Sequence, residues 1–192
     1  MSRGLRTALI LVAIVLFCCC VAGLGMTLLG TGLIGRAFIT NPDRIEAIGR
    51  QIVDYEIPAG CEEMFAMDMV GVKMVAIGTS SVDTDFMMIV LMQFSPRMEI
   101  SREEVERQVE QALTRQIGLG NADWVSVGQE ERIINGEPVT MAVREGTTDY
   151  GEHLRQISGL FQGKGGPAML IVTGESEAWD QATVDSFIVS IR

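Results

Sequence analysis

FMMIVLMQF, residues 86–94, is an apolar run broken only by Gln93, set between the polar loop TSSVDTD (79–85) and Pro96. A run of that length between polar boundaries predicts a central β-strand buried on both faces. Upstream of it, Val72–Ile77 reads as a second strand closed by Gly78, and Phe65–Met69 as a short irregular one. Val53–Ile57 (VDYEI) alternates ahead of the turn signal Pro58-Ala59-Gly60 and is expected to be the first strand. Before that, residues 41–52 form a short helix. Asn41 is a good N-cap, Pro42 suits the first helical position, and Ile45, Ile48 and Ile52 share one face.

Downstream, SREEVERQVEQALTRQIGL (101–119) carries a capping-box pattern at Ser101 and Glu104 and an i+4 stripe of Val105, Val109, Leu113 and Ile117. It predicts a helix packed on the sheet by one face. Trp124–Ile134 and Glu137–Arg144 flank Asn135-Gly136, a strong hairpin signal. His153–Phe161 and Ala168–Thr173 flank the glycine-rich turn GKGGP, and a helix over residues 177–191 closes the chain. The expected order is β-β-β-α-β-β-β-β-α.

Three segments, IPAGCEEMF (57–65), AMLIVTGE (168–175) and the closing FIVSIR (187–192), resemble in element order the PsbP-like α/β/α sandwich families. The resemblance spans residues 53–192. It implies an α+β domain, an antiparallel sheet covered by helices. Those families share a fold more than a chemistry, so no functional residue is carried over.

The N-terminal part has a different character. From Thr7 to Gly35 no residue is charged. That length exceeds the roughly 20 residues a helix needs to cross a bilayer and predicts a single transmembrane helix. Arg3 and Arg6 precede it, placing the N-terminus in the cytoplasm and the domain outside. The organisation expected is a cytoplasmic tip and anchor over 1–36, a juxtamembrane helix over 37–52, and an extracytoplasmic domain over 53–192. Within the run, Cys19, Gly23, Thr27, Thr31 and Gly35 recur at every fourth position, a small-residue stripe that would let two such helices associate into a homo-oligomer.

Residues 51–192 carry 10 basic and 23 acidic residues, a net of −13. Such a domain repels phosphate backbones, which argues against a nucleic-acid partner. Cys61 is the sole cysteine outside the apolar run, so the domain has no internal disulfide. The lone histidine, His153, heads a strand with no nucleophile motif nearby. Lys164 among the glycines of GKGG lacks P-loop spacing and the following Ser or Thr. Asp83 and Asp85 lack the further ligands of a calcium loop. The compositional oddity is methionine: Met64, Met67 and Met69 have spacing that could collect thioethers around Cu(I), though methionine also fills irregular cores. The sequence points to no catalytic residue and no cofactor. It points to a non-catalytic binding or assembly module of the cell envelope with a protein partner. The alternatives are a carrier of a small ligand or of Cu(I), or an enzyme whose site has no sequence signature.

Overall fold

Strand β4 (Met87–Phe94) lies at the centre of the sheet. Every residue from Met88 to Phe94 is buried, as an apolar run with a single amide predicts. The computed structural model describes residues 38–69, 71–79, 87–96 and 122–192. Among them, β1 (Phe38–Ile39), β2 (Cys61–Met69), β3 (Val72–Thr79), β4, β5 (Asp123–Ile134), β6 (Glu137–Thr147), β7 (His153–Gly163) and β8 (Gly166–Glu175) make one sheet in the order β1-β2-β3-β4-β8-β7-β6-β5. The pairs from β2 to β5 are all antiparallel. Two meanders, β2–β4 and β5–β8, therefore meet where β4 pairs with β8.

Helices α1 (Pro42–Ile52) and α2 (Gln181–Ser190) lie against one face of this sheet. Asn41 caps α1 by accepting from the Arg44 amide, and Asp180 caps α2 by accepting from the amides of Ala182 and Thr183. Ile45, Ile48 and Ile52 of α1 and Val184, Phe187 and Ile188 of α2 join Val75, Ile77, Ile89, Leu91, Leu170 and Val172 in one core. Gly49 has a packing reason for its place in α1: a Cβ there would sit 2.0 Å from the Tyr55 hydroxyl. The opposite face has its own buried cluster, Met88, Val90, Met92, Phe94, Met169 and Ile171. Neither described helix contributes to it.

This corrects the expected architecture. The described residues are an eight-stranded antiparallel sheet with two helices on one face, not an α/β/α sandwich. The helix expected over 101–119, on which a second helical layer depended, lies outside the described residues. So do residues 7–35 and the stripe Cys19, Gly23, Thr27, Thr31 and Gly35. No helix among the described residues is long and apolar enough to cross a membrane, so the single-pass arrangement has no support in the structure.

Val53–Ile57 also departs from expectation. The alternation is right, with Val53 and Tyr55 buried and Asp54 and Glu56 exposed. Yet the segment joins no sheet. Asp54 instead exchanges both backbone hydrogen bonds with Arg192, at 3.1 and 2.9 Å. Alternation reports which side is buried, and a chain terminus satisfies the backbone as well as a strand does.

Candidate functional site

His153 is exposed on β7, with Nδ1 3.3 Å from the Thr147 hydroxyl. Cys61 is half-buried, and burial raises its thiol pKa, the opposite of an activated nucleophile. Lys164 is occupied as a clamp. Its ammonium lies 2.7 Å from Asp54 and donates to the Arg50 carbonyl at 3.1 Å, while its amide donates to Ile52. The hydrogen bond from Lys164 holds the Asp54 carboxyl below its ordinary pKa. The glycines around it admit close approach: a Cβ at Gly165 would meet the buried Gln93 amide oxygen at 2.7 Å. GKGG is thus a hairpin that docks the β7–β8 turn onto the end of α1. Asp83 and Asp85 lie outside the described residues. Among the described residues, no group of three His, Cys, Asp or Glu side chains could hold a metal.

Met64, Met67 and Met69, whose spacing offered thioethers for Cu(I) as an alternative to core filling, all lie on β2. Met67 faces Met74 and Met69 faces Val72. Met64 falls at the register shift between Glu63 and Phe65, and its sulfur lies over Gly78.

What the structure does present is an open sheet edge. The tight turn at Asn135 (φ 51°) and Gly136 (φ 78°) sends the chain back so that β5 and β6 pair along eleven positions, with an irregularity between Ser126 and Gly128. Beyond β5 there is no further strand among the described residues. Its side chains Val125, Val127 and Ile133 are 63%, 50% and 59% exposed. An edge strand of this length with exposed β-branched residues is a template for another strand, because alternate N–H and C=O groups point outward unpaired.

A charge network fixes the helix-side half of that strand. Glu130 pairs with Arg132 on the same strand and with Arg155 of β7 at 3.4 Å. Arg132 reaches Asp185 of α2 at 3.5 Å, and Arg155 lies 5.5 Å from the centre of the Trp179 ring. The Trp124 ring packs on Gly146, where a Cβ would clash at 2.9 Å. Carboxylates pair with both guanidinium groups, so this cluster braces β5 against β7 and α2. Sequence reading located the hairpin, but the edge position depends on strand order, which no local pattern encodes. The one available signal was the polar segment GQEER (128–132), which ruled out a strand buried on both faces.

No family model matches the chain, and no curated protein matches it. Among solved structures it is similar to the crystal structure of LpqN, involved in cell envelope biogenesis, of Mycobacterium tuberculosis. The identity is 10% over 72% of this chain and 81% of that one, with a TM-score of 0.34. At that level of superposition neither fold nor role transfers.

Proposed function

We propose that the domain is a non-catalytic binding module of the cell envelope, which takes up an extended, basic segment of a partner protein along the open edge of β5. The observation that carries this reading is the outer edge of β5, beyond which no strand lies among the described residues, with Val125, Val127 and Ile133 exposed along it. Main-chain hydrogen bonds supply affinity in strand addition, and alternate side chains supply selectivity. The basic character of the segment follows from charge. Residues 51–192 carry a net −13, and β5 itself holds Asp123, Glu130 and Glu131 against the single Arg132. A second copy of the same acidic domain is disfavoured by its own field. The envelope assignment rests on the uncharged stretch from Thr7 to Gly35, a sequence feature that fits export.

The test is a titration of the isotope-labelled full-length chain with a peptide of alternating valine and lysine about as long as β5. Amide shifts confined to Asp123–Ile134 and its neighbour β6, weakening as salt rises, are the expected result. An equivalent valine–glutamate peptide should bind much more weakly. Equal binding of both peptides, or shifts that leave β5 untouched, would refute the proposal. Self-association through β5 without added peptide would replace the partner by a second copy.

A further inference from the structure

The strand register assembles a feature that the linear sequence hides. Met67 of β2 faces Met74 of β3, Met74 faces Met92 of β4, and Met92 faces Met169 of β8. Four methionines stand in one unbroken row across four neighbouring strands, all on the face opposite the helices. Met74, Met92 and Met169 already pack in one cluster. Adjacent strands lie about 4.8 Å apart. A methionine side chain is unbranched with three rotatable bonds and a polarisable sulfur. Three sulfurs from adjacent strands can therefore converge over the middle one without moving the backbone.

We infer that Met67, Met74 and Met92 form a three-thioether site for Cu(I), with Met169 as a fourth sulfur at its buried end. The ion class follows from the donors. Thioethers are neutral and soft, and they select Cu(I) over cations that favour imidazole, carboxylate or water. The rows on either side are apolar: Phe65, Ala76, Val90 and Ile171 on one side, Met69, Val72 and Phe94 on the other. No carboxylate or imidazole stands among them to attract a hard cation. Exposure falls across the row, with Met67 and Met74 half-buried and Met92 and Met169 buried. Towards the β2 side, Met69 and Met64 are 48% and 50% exposed. The row thus runs from the solvent-exposed side at β2 to the buried end at β8. A row that served packing alone would accept leucine at every position with no other consequence, and this is what separates the two roles. The inference is independent of the β5 proposal, which uses the far edge of the sheet.

The experiment uses the full-length chain carrying Cys18→Ser, Cys19→Ser, Cys20→Ser and Cys61→Ser, so that no thiolate competes. It is titrated anaerobically with Cu(I) in the presence of bicinchoninate, and the loaded protein is measured by X-ray absorption. One Cu(I) per chain should leave the chelator, with sulfur as the dominant scatterer. Met74→Leu conserves side-chain volume, and it should weaken binding by about ten- to a hundred-fold, the range that even outer-shell groups command. Met67→Leu, at a half-buried position, gives the same reading should Met74→Leu fold poorly. Met87→Leu, on the helix-covered face, should leave affinity unchanged. Failure to compete with the chelator, or an affinity unchanged from the parent in both Met67→Leu and Met74→Leu, overturns the site.

Discussion

Strands β4 and β5 belong to one sheet and obey opposite rules. β4 is short and almost wholly buried, with α1 beneath it and a second apolar cluster on its other face. β5 is half as long again, and of its residues only Ile134 is buried. The central strand is fixed by hydrophobic burial from both sides. The edge strand is fixed by a turn, by one neighbour, and by ion pairs through Glu130 and Arg132. A strand held on one side only has backbone groups left to offer. The sheet thus has its buried core at the centre, and the proposed binding edge is its rim.

That contrast is open to attack, beginning with the largest effect. Leu91→Ala removes a fully buried side chain from β4 and should cost about 2–5 kcal/mol. A loss below about 1 kcal/mol would mean that β4 is not the core. Gly49→Ala probes how tightly α1 is held to that centre. Helix propensity alone favours alanine by about 1 kcal/mol. The Tyr55 hydroxyl stands where the new Cβ must go, so overpacking of about 1–3 kcal/mol should win and the variant should melt earlier than the parent. Thermal unfolding followed by circular dichroism reads both.

Tyr55 gives the same region a pH signature. Burial, then the hydrogen bond it donates to Glu63 at 2.5 Å, push its phenol well above its ordinary pKa of 10.0. The folded state keeps a proton that the unfolded chain releases. The stability so gained is complete below pH 10 and is lost as pH climbs beyond it. Denaturant midpoints measured across that range should fall with pH in the parent and flatten in Tyr55→Phe. The smallest effect belongs to the rim. Val125→Lys, at an exposed position of β5, should change stability by no more than about 0.5 kcal/mol. The same variant should abolish uptake of the valine–lysine peptide through like-charge repulsion.

Legibility in the sequence follows the same division. The β4 run, the Asn41 helix, the closing helix and the Asn135-Gly136 turn were readable because each is a local pattern with a local cause, although the closing helix begins at Gln181, behind an Asp180 cap that the reading of 177–191 did not single out. Asn135-Gly136 needs left-handed backbone at both positions, and the structure has it. Strand order was not readable, since the pairing of β4 with β8 joins residues some eighty positions apart. The α/β/α expectation failed at that point: the resemblance supplied an element order, and element order does not say which face a helix covers. The methionine row was hidden for the same reason. Sequence spacing offered Met64, Met67 and Met69 as neighbours, whereas register makes Met67, Met74, Met92 and Met169 neighbours.

Amide hydrogen exchange, resolved by residue, tests the open edge of β5 most directly. In the free chain, about every other amide of Asp123–Ile134 should exchange fast while those of Met88–Phe94 stay protected, and the basic peptide should slow the fast set. Uniform protection along β5 without any peptide would show that the edge is already occupied, and the account would fail.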